Sequence, residues 1–383
     1  MKTIIKLFAC LSVLFVVSCS HTKEPRAKYV FLFIGDGMGP AQVYSTEVFK
    51  ASVDGKIGRY PLVMSQFPVQ SYATTFSAND NITCSSASAT AIATGIKTNN
   101  SFLGVGPDTL PLITIAEKAK NAGKRVGLIS SVGINHATPG SFFGHRSNRR
   151  MYDDIAIDLI YSNLDFYAGS GVIQKRSTPD NAEAIYRKLD SAGFRVACTV
   201  KDIDNLHNGD TKVIAVNPVV RSSAEFEWVI DKADGALPLS QFVRKGIEVL
   251  DNNNGFFMMC EGGKIDWACH YNDLASALYE TMAFDSAVAV AVDFFNRHPD
   301  ETLIIVTADH ETGGLTLGSQ YRQGINPEYM LQQKISLDAF NDKIATWSKQ
   351  QRKPTFAEIL DSINVYFGLG SVATPLTDKE IEW

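Results

Sequence analysis

The sequence predicts an α/β fold: a doubly wound, mostly parallel central sheet flanked by helices, with a helical crown or cap inserted near the C-terminus. Three observations carry this. Short apolar runs such as Lys28–Gly35 (KYVFLFIG), Arg125–Ser130 (RVGLIS) and Thr302–Thr307 (TLIIVT) lack polar alternation, as strands covered on both faces do. Helix-length stretches separate them, and strands alternating with helices build parallel crossovers. From Gly318 to Trp383 the chain turns polar and helical in pattern, with few strand candidates.

The elements follow in order. After the first strand come Gly37 and Gly39, then a helical stretch to about Lys50. Ser85–Thr94 is rich in small residues and ends at Gly95, a residue suited to closing a helix. Leu112–Asn121 reads as a helix stopped at Gly123, before the Arg125–Ser130 strand. Further strands are expected at Asp165–Tyr167, Arg195–Val200 and Lys212–Val216. Leu239–Leu250 is helical, Gly255–Cys260 a strand, and Asp273–His298 a long Ala-rich helix. Thr302–Thr307 is the expected central strand. There is no internal repeat.

The 383 residues are 45% hydrophobic and 20% charged, enough to bury a sizeable core. A net charge of −5 gives no basic excess, so no nucleic-acid binding is expected. The first 18 residues read as a signal peptide. Lys2 and Lys6 precede an apolar run, Leu7–Val17, too short to span a bilayer. Val16-Val17-Ser18-Cys19 resembles a bacterial lipobox, which implies cleavage before Cys19 and acylation of its thiol. Residues 19–28 are then a lipid-anchored tether, and the protein faces the periplasm or cell surface from a bacterial membrane. Export permits disulfides, yet spacing pairs none of Cys84, Cys198, Cys260 and Cys269, and isolated thiols fit equally.

Ligands in open α/β sheets bind beyond the carboxyl ends of the strands. Asp36, the His136/Thr138 pair, Glu261 and the Asp309-His310 pair each follow or end a different predicted strand. Asp266 and His270 share a face if their segment is helical. Carboxylates with imidazoles suit zinc, and all-oxygen sets suit magnesium. In SSASAT (85–90) a serine at a helix N-terminus would meet free N–H groups and the positive dipole end. Local physics does not choose among Ser85, Ser86 and Ser88. Of Arg146, Arg149 and Arg150, any could clamp phosphate oxygens.

Together the segments FLFIGDGMG (32–39), SSASATAIATGIKTNN (85–100), HATPGSF to Arg149, CEGGKIDWACH (260–270) and VTADHETGG (306–314) resemble the alkaline phosphatase family. The resemblance implies that Ser85 is a nucleophile that becomes phosphoserine. It implies one zinc on Asp36, Asp309 and His310 beside the serine oxygen, and a second on Asp266 and His270. Thr138 and Glu261, with Asp36 bridging, are implied as a third site for magnesium, and Arg149 as the phosphate clamp. Cys84 stands where some members have an aspartate that orients the arginine. His136 and Trp267 replace aspartate and lysine of the best-known member; they are read as variant choices that adjust the third site and the phosphate contacts.

The family completes the second zinc site with a further histidine, yet none of the seven histidines follows His310. The resemblance therefore implies a catalytic core over 29–317, a helical insertion over 318–383, and completion of the core after residue 383. The expected activity is hydrolysis of small phosphate monoesters, with a homodimer as the family habit. The alternatives are a diesterase or sulfatase-like relative, or a weakly active phosphate- or metal-binding lipoprotein. His145 reads as structural, His207 and His298 as surface residues.

Overall fold

The structure, a computed structural model, describes residues 27–173, 179–221, 224–318, 326–370 and 375–381. The leader, Cys19 and most of the tether lie outside them. The described residues form nine strands: β1 Tyr29–Gly35, β2 Arg125–Ser130, β3 Phe166–Gly169, β4 Arg195–Ala197, β5 Val213–Val216, β6 Val220–Arg221, β7 Glu225–Phe226, β8 Phe256–Gly262 and β9 Thr302–Ala308. Seven form one sheet in the order β4-β5-β3-β2-β8-β1-β9, with every pairing parallel. β6 and β7 make a small antiparallel hairpin.

The period-2 geometry of the strands splits their apolar side chains between two cores. Phe31, Phe33, Ile129, Phe166 and Met258 face the helices Leu239–Leu250 and Leu274–Phe295, packing on Phe242, Val243, Phe284 and Phe294. Leu32, Ile34, Leu128, Tyr167 and Met259 face Ala89, Ala93, Ala116, Ile155 and Leu159 from three helices on the other side. Each such buried side chain contributes roughly 1.5–3 kcal/mol of transfer free energy. No helix among the described residues is long and apolar enough to cross a membrane.

Several boundaries differ from the sequence expectation. Among the described residues β9 lies at the edge of the sheet, not its centre: it pairs there with β1 alone, and Leu303 and Ile305 are exposed. Its apolar run resembles a buried strand, but one of its faces has no described cover. The run expected over Arg195–Val200 stops at Ala197, because the Thr199 side chain accepts from Asp202 N–H and caps a short helix from Val200. The helix expected from Leu112 begins at Ile115, where Thr114 and Glu117 form a capping box. Asp273 caps the long helix, which ends at Phe295. The helices Tyr152–Tyr161 and Pro179–Ser191 and the β6–β7 hairpin were not foreseen.

Among the described residues beyond 318 there is no strand. The chain forms the helices Leu337–Lys349, Phe356–Phe367 and Asp378–Ile381 after a 3-10 turn at Pro327–Gln332. Polar contacts dock them. Ser336 N–H and hydroxyl both donate to Asp231 at 2.7 Å, and Leu337 N–H and Gln333 Nε2 donate to Asp273 at 2.7 Å.

Candidate functional site

In the parallel register Gly35 lies beside Gly262 on one side and Ala308 on the other. Asp36 and Asp309 therefore leave neighbouring strands at one level, with Glu261 one residue before the end of β8. Gly37 turns the chain at φ +66°, and its N–H donates to Asp309 Oδ1 at 3.0 Å. A Cβ there would lie 2.6 Å from Thr312 Oγ1 and 2.9 Å from Asp266 Oδ1, so only glycine allows this closeness.

Asp36, Asp309 and His310 each offer a ligand atom within 4.8 Å of the others. His310 Nε2 lies 3.3 Å from Asp309 Oδ2, 3.5 Å from Asp36 Oδ1 and 3.2 Å from Ser85 Oγ. Ser85 Oγ also reaches Asp36 Oδ1 at 3.4 Å. Ser85 opens the helix Ser85–Thr94, whose N-cap, Cys84, gives no side-chain cap. The other serines are turned elsewhere: Ser86 Oγ meets Cys84 Sγ at 3.3 Å, and Ser88 donates to the Asp309 carbonyl at 2.6 Å. The geometry thus separates three serines that local sequence left equivalent.

On the helix Lys264–His270, Asp266 is buried, and His270 Nε2 lies 3.4 Å from Asp266 Oδ2 on the solvent side. Across the crevice Glu261 accepts a short hydrogen bond from Ser130, and Thr138 lies on the short helix Ala137–Gly140 that His136 precedes. His136 Nε2 is 3.4 Å from Arg149 Nη2, and its ring meets the Trp267 indole edge-on at 5.7 Å. Cys84 Sγ accepts from Ser101 N–H, and the Ser101 carbonyl accepts from Arg149 N–H at 2.7 Å, so the hydrogen-bonded link from Cys84 to Arg149 runs through that backbone.

Asp36 Oδ2, Asp309 Oδ2, Glu261 Oε1 and Thr138 Oγ1 are all buried without a hydrogen-bond partner. Buried polar atoms are ordinarily satisfied, so four oxygens at the carboxyl ends of the strands fit a site built to hold a cation. Burial, then the neighbouring carboxylates, pushes Asp36 well above the usual carboxylate range. Burial pushes Asp309 up and Glu261 up to about 7. Burial and then Arg149 hold His136 down at about 3, so its ring is neutral. The donor types fit metals: carboxylate with imidazole around Ser85, oxygens alone at Thr138 and Glu261.

The remaining candidates are engaged elsewhere. Arg146 forms a two-pronged pair with Asp158, and Arg150 is exposed. His145 bridges the Gly104 carbonyl at 2.7 Å and Glu117 at 3.1 Å. His207 is exposed, while His298 stacks on Phe294 at 4.6 Å instead of standing free. The four described cysteines are unpaired. Sequence reasoning missed Ser130 and Thr312. Thr312 lay inside the quoted VTADHETGG segment, and its position two residues after His310 was the available signal.

Comparison with known proteins gives one direction. A family model for alkaline phosphatase matches residues 27–165 and 222–357. The alkaline phosphatase of Schizosaccharomyces pombe is 31% identical over 335 residues, covering 82% of this chain and 61% of the yeast protein. The chain thus spans less than two thirds of that relative's length. The cold-active alkaline phosphatase of a psychrophilic Shewanella superposes with a TM-score of 0.78 at 30% identity, over 92% of this chain and 82% of that one. A mutant of the alkaline phosphatase of the Antarctic bacterium TAB5, solved with magnesium bound, gives 0.65 at 32% identity, over 77% of this chain and 81% of that one.

Proposed function

The chain belongs to the alkaline phosphatase family, and from that premise we propose that it hydrolyses small phosphate monoesters through a phosphoserine at Ser85. One observation carries the reading. Ser85 Oγ, at a helix N-terminus, sits between His310 Nε2 and Asp36 Oδ1, beside buried carboxylates that lack partners.

In this reading Asp36, Asp309 and His310, with Ser85, would hold one zinc, and Asp266 and His270 a second. Thr138 and Glu261, together with Asp36, would hold magnesium. Such ions supply charge neutralisation for an in-line displacement and lower the pKa of a hydroxyl bound to them. Ser85 Oγ bonds to phosphorus as the alcohol oxygen departs. Water then displaces Ser85 Oγ, giving inorganic phosphate and restoring the hydroxyl. Arg149 clamps non-bridging oxygens with its guanidinium fork. His136, kept neutral, braces that fork without competing for the anion. Trp267 walls the pocket against His136 and reaches phosphate through water.

Arg149 together with the Thr138–Glu261 pair favours a dianionic monoester over a diester. Turnover of p-nitrophenyl phosphate is expected to exceed that of bis-p-nitrophenyl phosphate, and to fall by about 10⁴-fold or more in Ser85→Ala. Faster diester turnover overturns the reading.

Lipid attachment through Cys19 and export belong to the same proposal, supported by the leader sequence; absence of acyl label on the mature protein would refute them. A homodimer is supported by Val69, Tyr72 and Phe76, exposed on an extended segment without regular structure. A monomeric sedimentation coefficient at micromolar concentration would exclude it.

A further inference from the structure

We propose that the Thr312 hydroxyl is a positioning group that joins the Asp266–His270 pair to the Asp36–Asp309–His310 cluster by a directed hydrogen-bond relay. The inference rests on the metal-site reading above and adds a residue to it.

Thr312 is buried, with Oγ1 2.5 Å from Asp266 Oδ1 and 3.2 Å from His310 Nδ1. A carboxylate oxygen accepts, so the single hydroxyl hydrogen points to Asp266. His310 Nδ1 also lies 3.0 Å from the Glu311 carbonyl oxygen, which only accepts. Nδ1 therefore carries the ring hydrogen, shared between Glu311 O and Thr312 Oγ1. Nε2 is the nitrogen that faces Ser85, Asp309 and Asp36. The relay runs His310 Nδ1–H to Thr312 Oγ1–H to Asp266 Oδ1. It occupies Asp266 Oδ1 and leaves Oδ2 turned to His270 Nε2.

The relay is held in place from both sides. Gln42 Nε2 donates to the Thr312 carbonyl at 2.9 Å, and the bare Gly37 backbone admits Thr312 and Asp266 together. A single hydroxyl thereby orients the ring of one ligand, His310, and fixes the rotamer of another, Asp266, which lies on a different element. Groups behind metal ligands act in this way, and their loss costs metal affinity.

The test is a zinc titration of the full chain against a chromophoric chelator, with Thr312→Val and Thr312→Ser. Valine keeps the shape and removes the hydroxyl; serine keeps the hydroxyl. Thr312→Val is expected to lose roughly 10–100-fold in zinc affinity, with Thr312→Ser retaining it. Unchanged affinity in Thr312→Val overturns the relay, as does equal loss in both variants, which would assign the effect to methyl packing. If the unsubstituted chain binds no zinc, the metal reading falls, and the relay is then decided by a second measurement. A readout independent of metal is the ¹⁵N spectrum of His310 in the zinc-free chain. It is expected to report protonated Nδ1, and the opposite tautomer overturns the relay on its own.

Discussion

Two buried charged clusters lie on either side of the helix Lys264–His270, and they are finished differently. Beneath the β6–β7 hairpin, Lys264 is fully buried, donates to the Phe226 carbonyl at 2.7 Å, lies 3.4 Å from Glu225 and sits 3.5 Å over the Trp228 ring. Arg221 contacts Glu225, Glu227, Asp338 and Asp342 at 2.9–3.5 Å. Glu280, pushed up to about 7 by burial, accepts from Val229 N–H at 2.9 Å. Among the described residues, no atom of that network is buried without a partner, whereas Asp36, Glu261 and Asp309 each keep one such oxygen. A network closed on itself specifies packing, and an open one keeps coordination sites in reserve. Charge content alone would not distinguish them.

Three experiments can break or sharpen this contrast. The largest effect is expected in the closed cluster. Arg221→Met leaves Glu225 to Lys264 alone and takes the cation from Glu227 and Asp338, and should cost roughly 3 kcal/mol in denaturant unfolding. Zinc stoichiometry should be unchanged; a variant that loses zinc instead would mean the two clusters are one. Next, Asp309→Asn should lower zinc affinity by about 100-fold or more, equivalent to about 2.7 kcal/mol. The same substitution should raise the melting temperature of the zinc-free chain at pH 8, since it deletes an uncompensated buried charge. A lower melting temperature there would show that the carboxylate is already satisfied.

The smallest effect is in pH. Glu261, Asp36 and Asp309 have folded pKa values raised above their unfolded ones. Their contribution is complete below the unfolded carboxylate pKa and is lost as pH rises through the folded values, about 7 for Glu261. His136 works in the opposite sense only between about 3 and its ordinary 6.5. From pH 6.5 to 8 the zinc-free chain should therefore lose about 1 kcal/mol per group that ionises. Zinc should remove the crevice's share and leave that of Glu280. A slope indifferent to zinc would place all of it in the closed cluster.

The candidate residues could be picked out because many stand at strand ends, where the local pattern of an apolar run followed by Asp, Glu or His is visible, and the fold gathers Asp36, Asp309 and His310 there. Ser85 could not be told from Ser86 and Ser88, since all three lie in one helical turn. The partners that separate them, Asp36, His310, Cys84 and the Asp309 carbonyl, come mostly from elsewhere in the chain. Thr312 was not legible as a link, because its contact with Asp266 exists only once the loop after β9 folds over the helix Lys264–His270. The edge position of β9 was misread for a related reason: strand order belongs to the whole sheet, and TLIIVT carries no mark of it.

That edge position has a kinetic consequence. Among the described residues β1 and β8 have hydrogen-bonded neighbours on both sides, whereas β9 has one. Local opening begins where backbone bonds are least sheltered, so amide exchange should be faster along β9 than along β1. Asp36 and Glu261 are thus carried by strands paired on both sides, and Asp309 and His310 by the end of a strand paired on one side among the described residues. The centre is built as a fixed jaw and a compliant one, and its slowest reorganisation should be the breathing of the outer strand.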